Sequence, residues 1–222
     1  MILTCKAILF DNDGVLVDST AAAERVWRKW AIKHKLDADY IARNAHGRRS
    51  IETIRLVAPS LDAERENDIV EGMEIADQEG VVAIAGAREL LFSLPTERFT
   101  IVTSASRALA QARLDFAGLP FPKRFITGDD VVNGKPSAEP YLKGAALLGF
   151  PPEDCIVFED TPAGIQAGLS AGMRVIALRT TYPAETLTAA EAIIGSLAEV
   201  GVDINNEGLR IQISTAMPRA AH

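Results

Sequence analysis

The chain has 222 residues, 48% hydrophobic and 24% charged, which is enough to bury the core of a soluble globular protein. Its formal net charge of −7 argues against a nucleic-acid-binding surface, because phosphate backbones are bound by clustered lysines and arginines. No apolar run approaches the roughly 20 residues that span a bilayer, so no membrane partner is expected. Two cysteines, Cys5 and Cys155, lie in apolar runs, which predicts reduced core thiols and a cytoplasmic protein.

Short apolar segments alternate with helical patterns along most of the chain. The predicted strands span 5–10, 99–103, 124–127, 155–159, 174–178 and 191–195, and the alternating "LRIQI" at 209–213 predicts an edge strand. Strands and helices in this order are typical of an α/β fold, a Rossmann-like doubly wound parallel sheet with helices on both faces.

One interval departs from this alternation, because nearly ninety residues of helical apolar spacing separate the first two predicted strands. Its first helix places apolar residues on one face, including Trp27 and Trp30 as core of this region. Further helices are predicted over 50–58 and 66–80, and another over 86–95. We therefore expect a helical-bundle insert, residues 17–84, in a core domain formed by 1–16 and 85–222.

Polar side chains follow four of the predicted strands. They are Asp11, Asn12 and Asp13 after the first strand, Thr103 and Ser104 after the second, Lys135 in the turn-rich segment after the third, and Glu159 and Asp160 at the fourth. Ligands of an open parallel sheet bind at the carboxyl ends of its strands, so we expect these groups to share one crevice. Converging carboxylates call for a cation, and hard oxygen ligands without histidine or cysteine suit Mg²⁺.

The same groups are suited to phosphoryl transfer. Hydroxyls and backbone amides at the end of the second strand, with Lys135, can hold phosphoryl oxygens and offset their charge. A carboxylate beside them can act as a nucleophile and form an acyl-phosphate. A second carboxylate two residues further on can protonate the leaving oxygen and later activate water.

The strand-end motifs resemble those of a known family. The segment from Asp11 to Val15, Ser104, the "GKP" around Lys135 and the Glu159-Asp160 pair with "PAG" are similar, in order and spacing, to the four motifs of the haloacid dehalogenase superfamily. The insert resembles the four-helix cap of its phosphoglucomutase-like phosphatases. Segments such as "HGRRSIETIR" and "VFEDTPAGIQAGLSAGM" are further similar to bacterial phosphatases of hexose and related sugar phosphates.

The resemblance implies a role for each acidic residue. Asp11 would be the nucleophile that forms an aspartyl-phosphate, and Asp13 the general acid and base. Asp160 would bind Mg²⁺ together with Asp11 and the backbone carbonyl of Asp13. Glu159 would be an alternate metal ligand or would support the ligands from behind.

The phosphate site follows from the same resemblance. Lys135 would neutralise the aspartyl-phosphate, and Ser104 would hold the phosphoryl group with the amide of Ala105. An alignment shifted by one residue gives the role of Ser104 to Thr103. Asn12 stands where the family usually has an apolar or aromatic residue, and because its backbone N–H would be unaffected, we expect catalysis not to depend on its side-chain amide.

A basic loop in the insert, "HGRRS" at 46–50, allows two interpretations. It is either a solvated charge cluster, or His46, Arg48 or Arg49 reaches the hydroxyls or phosphate of a substrate when the two parts close.

Several functions remain open at this stage. The favoured one is a Mg²⁺-dependent phosphatase, a monomer, acting on a small phosphorylated sugar or polyol. Val15 occurs in phosphomutases of the family where many phosphatases carry threonine, so a sugar phosphomutase is the alternative. A metal-independent dehalogenase would have no use for Asp13 with Asp160. A non-enzymatic phospho-accepting module is disfavoured by the helical insert.

Overall fold

The computed structural model of the protein describes residues 1–205 and 207–214. Within these ranges the strands are β1 (Ile2–Cys5), β2 (Ala7–Phe10), β3 (Val17–Asp18), β4 (Val82–Ala83), β5 (Phe99–Ile101), β6 (Cys155–Glu159), β7 (Arg174–Leu178), β8 (Ala192–Ile194), β9 (Val200–Asn205) and β10 (Gly208–Ile213). The helices are α1 (Thr20–Lys33), α2 (Ala38–Asn44), α3 (Ser50–Val57), α4 (Ala63–Ala76), α5 (Ala87–Ser93), α6 (Arg107–Phe116), α7 (Glu139–Leu148) and α8 (Pro162–Ser170). None of them is long and apolar enough to cross a bilayer.

The centre of the fold is a five-stranded parallel sheet in the order β5-β2-β6-β7-β8. The chain runs from β2 to β5 on one side and later returns to β6 on the other. The strand order therefore reverses at β2, and a crevice opens at the carboxyl end of this strand. The predicted doubly wound α/β fold is confirmed.

Apolar side chains cover both faces of this sheet, which explains why its strands are almost continuously hydrophobic. Ile8 and Phe10 point into a core that also contains residues of α5 and α6. Ala7 and Leu9 point into a second core with residues of α7 and α8. Both cysteines are buried free thiols, as predicted.

Several predicted strand positions need correction. The segment 5–10 divides at Lys6 into β1 and β2, which belong to different sheets. The predicted strand 124–127 is wrong, because only an isolated bridge between Val102 and Ile126 forms there. The "LRIQI" segment is not an edge strand, since β10 lies between β1 and β9 in an antiparallel sheet. In contrast, β6 and β7 begin and end where the sequence predicts.

Helices α1 to α4 form the helical insert between β3 and β4. These two short strands pair with each other, so the chain leaves and re-enters the sheet region at one place. The insert has an apolar cluster of its own, which contains Trp27, Trp30 and Ile54. The limits 17–84 of a separate domain stay a prediction.

Helix α1 begins after Ser19, whose side chain does not cap the helix. The Ser19 side chain makes no cap hydrogen bond, because its hydroxyl donates to Asp13 Oδ1 at 2.6 Å. Asp18 instead accepts from the backbone N–H of Thr20 at 3.1 Å. The Ser19 side chain therefore contributes to the carboxyl end of the sheet, while its backbone carbonyl accepts from Ala23 N–H in the first turn of α1.

Packing of α7 against the sheet depends on Gly144. A Cβ at this position would lie 2.6 Å from Leu9 Cδ2 and 2.7 Å from Val102 Cγ2. We expect Gly144→Ala to lower the free energy of unfolding by about 1–3 kcal/mol through overpacking. Gly72→Ala is the control, because no atom lies within 4 Å of its Cβ position in α4. It should stabilise by about 0.5–1 kcal/mol, and urea denaturation that ranks the variants the other way would contradict this packing.

Candidate active site

The carboxyl end of β2 presents Asp11 to the crevice. Its backbone N–H donates to Phe158 O at 2.9 Å, which continues the pairing of β2 with β6, and only 5% of the residue is exposed. Asp11 Oδ1 accepts a hydrogen bond from Lys135 Nζ at 2.7 Å. Burial raises the pKa of Asp11 to about 7, although the Lys135 ammonium acts in the opposite direction. The charged form of Asp11 therefore depends on nearby cations.

Lys135 is the buried cation of this site. Besides Asp11, its ammonium donates to Glu159 Oε1 at 2.6 Å and to Val102 O at 3.2 Å. It also lies 5.1 Å from the ring centre of Tyr141, whose hydroxyl donates to Glu159 Oε1 at 2.8 Å. Burial disfavours the ammonium, but Asp11 and Glu159 outweigh it and raise the Lys135 pKa above its usual range. Lys135 thus stays charged between two carboxylates.

Glu159 uses both carboxylate oxygens within the protein. Oε1 accepts from Lys135 and Tyr141, while Oε2 accepts from the backbone N–H groups of Asp160 and Thr161 and from the Thr161 hydroxyl. Burial raises the pKa of Glu159, but Lys135 and these hydrogen bonds lower it overall. Its oxygens are therefore engaged in holding the site together.

Asp160 contrasts with Glu159. It is 1% exposed, and its Oδ1 has no hydrogen-bond partner among the described residues. Burial, followed by the charges of Glu159 and Asp11, raises the pKa of Asp160 well above its usual range. Carboxylate oxygens of Asp11, Glu159 and Asp160 lie within 4.8 Å of one another. A cation would relieve this repulsion and give Asp160 Oδ1 a partner, so the residues fit a metal ion.

Gly14 allows Asp160 to approach the turn after Asp13. Its φ is +80°, and a Cβ would lie 2.0 Å from Asp160 Oδ2 and 2.6 Å from Thr181 Oγ1. Only glycine combines this backbone conformation with such a close carboxylate. The glycine that follows the aspartate pair is therefore required by packing at the acidic group.

Asp13 lies on the other side of the turn and lines the cavity. Its Oδ1 accepts a hydrogen bond from Ser19 Oγ at 2.6 Å and forms an ion pair with Arg113 Nη1 at 2.8 Å. The side-chain amide of Asn12 lies 3.4 Å from Asp13 Oδ2, a long contact, and Asn12 itself is fully buried. The expectation that catalysis does not depend on this amide stays untested.

The loop after β5 also lines the cavity. Thr103 Oγ1 accepts a hydrogen bond from the backbone N–H of Ala105 at 3.1 Å. Ser104 Oγ donates to Gly47 O of the insert at 3.2 Å. Thr103, Ser104 and Ala105 all line the cavity with Asp11 and Asp13, so the choice between the two hydroxyls stays open.

The side chains of the basic loop in the insert lie in two different places, some in the cavity and one at the contact between insert and core. His46 and Arg48 line the cavity, and burial lowers the pKa of His46, which favours its neutral form. Arg49 is not among the cavity-lining residues. Its guanidinium donates to Glu52 and to the carbonyls of residues 131 and 132 at 3.1 and 2.9 Å. Arg49 therefore joins the insert to the core, and its donors are occupied there.

Two charged residues that line the cavity were not predicted as site residues from the sequence. Arg113 of α6 and Glu74 of α4 both line it, and Arg113 Nη2 donates to Glu74 Oε1 at 2.9 Å. Burial raises the pKa of Glu74 to about 7, against the effect of Arg113. The sequence does carry one signal for Arg113: it lies four residues after Leu109, on the apolar face of α6, where a charged residue needs a buried partner.

The fold and these strand ends define a class of hydrolases with a parallel sheet and a helical insert. A family model described as haloacid dehalogenase-like hydrolase matches residues 5–172. The chain belongs to this family of hydrolases, as the motifs predict.

Relatives of known activity match nearly the whole chain. It is 40% identical to hexitol phosphatase A of Escherichia coli, with 90% of this chain and 95% of that protein covered. It is 35% identical to glycerol-1-phosphate phosphohydrolase 2 of Saccharomyces cerevisiae, with 94% and 86% covered. Among solved structures, a hydrolase from Pseudomonas syringae has a TM-score of 0.76 and 26% identity, with 85% and 92% covered.

Lys135 separates two buried carboxylates, so its removal should destabilise the fold. We expect Lys135→Met to lower the free energy of unfolding by about 3–5 kcal/mol at pH 8, since two buried charges lose their counter-ion. In Lys135→Met, burial raises the pKa of Asp11 and Glu159 with no ammonium to oppose it, so both carboxyl groups take up protons as the pH falls and no longer need a counter-ion. The deficit should therefore be smaller at pH 5.

The control is Lys143→Met, which removes an exposed ion pair with Glu139 on α7. Urea denaturation at both pH values should show little change for this control. Equal losses for the two lysine variants would contradict the role of Lys135.

Proposed function

We propose that this protein is a Mg²⁺-dependent phosphatase that hydrolyses small sugar or polyol phosphate monoesters through an aspartyl-phosphate. The observation that carries the proposal is the Asp11 carboxylate, held 2.7 Å from Lys135 at the switch point of the sheet, in one cavity with Asp13. The names of the hexitol and glycerol-1-phosphate relatives support this substrate class.

Asp11 is the nucleophile in this mechanism. Its carboxylate attacks phosphorus, the bond from phosphorus to the alcohol oxygen breaks, and an aspartyl-phosphate forms. Lys135 favours the ionised nucleophile, because its ammonium donates a hydrogen bond to Asp11 Oδ1. In the second half a water molecule attacks the aspartyl-phosphate, which releases inorganic phosphate and restores Asp11.

Asp13 carries the proton in both halves. It gives a proton to the departing alcohol oxygen and then takes one from the attacking water. Its position in the same cavity as Asp11, with Oδ1 fixed by Ser19 and Arg113, supports this role.

The carboxylates of Asp11 and Asp160 and the backbone carbonyl of Asp13 would hold Mg²⁺. When bound, the ion would offset the charge on the phosphoryl oxygens. Asp160 Oδ1, buried and without a protein partner among the described residues, is the donor best suited to it. Glu159 has the supporting role, because its oxygens already accept five hydrogen bonds.

Residues 17–84 act as a cap over the core domain of 1–16 and 85–222. The cavity between them has a volume of only about 60 Å³, which is too small for a phosphorylated sugar. The substrate therefore enters when the cap opens. His46 and Arg48 then contact the substrate on closure. Arg49 closes the cap onto the core through the carbonyls of residues 131 and 132.

Phosphate release from a panel of hexitol, glycerol and hexose phosphates tests the reaction. We expect turnover that EDTA abolishes and Mg²⁺ restores, and that Asp11→Asn lowers by at least about 10³-fold because the nucleophile is gone. Asp115→Asn on the exposed side of α6 is the matched control and should retain full activity. Metal-independent turnover, or turnover that survives Asp11→Asn, would refute the proposal. Isomerised hexose phosphate without free phosphate would favour the phosphomutase.

Ser104, with the amide of Ala105, is proposed to hold the phosphoryl group. Loss of a hydrogen bond to a charged group costs about 1.5–3 kcal/mol, so Ser104→Ala should lower kcat/KM by about tenfold or more. Thr103→Val keeps the shape of its residue and should lower kcat/KM less than Ser104→Ala does. The inhibition constant for inorganic phosphate should likewise change less in Thr103→Val than in Ser104→Ala. The reverse order of the two variants would assign the phosphate contact to Thr103.

A further inference from the structure

Arg113 is a buried arginine between two carboxylates. Only 5% of it is exposed, and arginine is almost never buried this far unless it is paired. Nη1 lies 2.8 Å from Asp13 Oδ1, and Nη2 lies 2.9 Å from Glu74 Oε1. Its guanidinium therefore contacts a residue after β2 and a residue of the insert at the same time.

The backbone of Arg113 is anchored in the core. It lies on the buried face of α6 with Leu109, Ala110 and Leu114. The Ser106 hydroxyl caps this helix by accepting from the backbone N–H of Leu109. The guanidinium is thus presented to the cavity from a rigid helix.

The contacts of Asp13 distinguish its two oxygens. Oδ1 accepts a hydrogen bond from Ser19 Oγ at 2.6 Å and forms an ion pair with Arg113 Nη1 at 2.8 Å. The contact to Oδ2 from Asn12 Nδ2 is long, at 3.4 Å. A carboxyl group whose Oδ1 is held by two donors carries its transferable proton on Oδ2. Arg113 therefore helps to decide which oxygen faces the reaction.

Glu74 supplies the other half of the arrangement. It lies near the end of α4 in the insert, and its residue is 5% exposed. Helix α4 of the insert packs on α6 of the core, so opening of the insert would draw Glu74 away from Arg113. The guanidinium would then lose one of the two carboxylates that orient it.

We propose that Arg113 is a positioning residue that couples closure of the insert to the orientation of Asp13. With Glu74 in contact, the guanidinium is held towards Asp13 Oδ1, and Oδ2 is presented to the leaving oxygen. This inference rests on the proposed phosphatase function and adds a residue pair that sets its proton transfer.

Leaving groups of different basicity separate this role from simple stability. An alkyl phosphate such as a hexitol phosphate must receive a proton from Asp13 as its phosphorus–oxygen bond breaks. p-Nitrophenyl phosphate releases a stabilised anion and needs no proton in that step. Single-turnover experiments with excess enzyme measure release of the alcohol or of p-nitrophenolate, and so report only formation of the aspartyl-phosphate.

Arg113→Met should slow the alkyl reaction by at least about 30-fold and the aryl reaction by less than about threefold, since general acid catalysis contributes about 10²–10⁴-fold. Glu74→Gln should show the same selective loss to a smaller extent. Arg107→Met, on the same helix but paired with Asp130, is the matched control and should change neither rate.

Arg113→Met leaves Glu74 buried without its cation, so the variant can be poorly folded. The double variant Arg113→Met with Glu74→Met replaces the pair by apolar groups and keeps the test open. It should fold and show the same selective alkyl loss. Equal alkyl and aryl losses, or an unchanged alkyl rate in a folded variant, would overturn the role of Arg113. Failure of the phosphatase proposal is distinct, because the wild-type protein would then release no phosphate.

Discussion

The ammonium of Lys135 is the interaction on which the rest of the site depends. It contacts Asp11 after β2, Val102 O after β5 and Glu159 at the end of β6. Three neighbouring strands of the sheet are therefore joined at their carboxyl ends by one buried cation. Two carboxylates this close would otherwise repel each other in an environment with little water to screen them. Glu159 then orients Asp160 and Thr161 through its second oxygen.

A second constraint is that the cavity belongs to two parts of the chain. The core supplies Asp11, Asp13 and the loop after β5, and the insert supplies His46, Arg48 and Glu74. Polar contacts near the cavity join the two parts: Arg113 with Glu74, Ser104 with Gly47 O, and Arg49 with two core carbonyls. The opening that we propose for the insert would break these contacts and remake them on closure. In the proposed mechanism the reacting groups lie in the core, and the insert would limit which substrates fit.

The strand ends were predictable because parallel strands need continuous apolar residues and stop at polar ones. β6 and β7 follow that rule to the residue. The segment 5–10 was predicted as one strand because hydrophobicity continues across Lys6, whereas its backbone pairs with two different sheets. The segment 124–127 is apolar for packing beside Val102, where only one bridge forms. Apolar patterns report burial, and they do not report which backbone groups find a partner.

The order of motifs along the chain was sufficient to indicate the family, the parallel sheet and the acidic strand ends, because each is a local pattern. The engagement of both Glu159 oxygens, the position of Arg49 away from the cavity and the Arg113 contacts depended on residues far apart in sequence. Glu74 and Arg113 are separated by 39 positions and Asp11 and Lys135 by 124. Only the tertiary structure decides such contacts. A charged side chain can pair with any opposite charge, and the packing of distant segments determines which one lies beside it in a site without water.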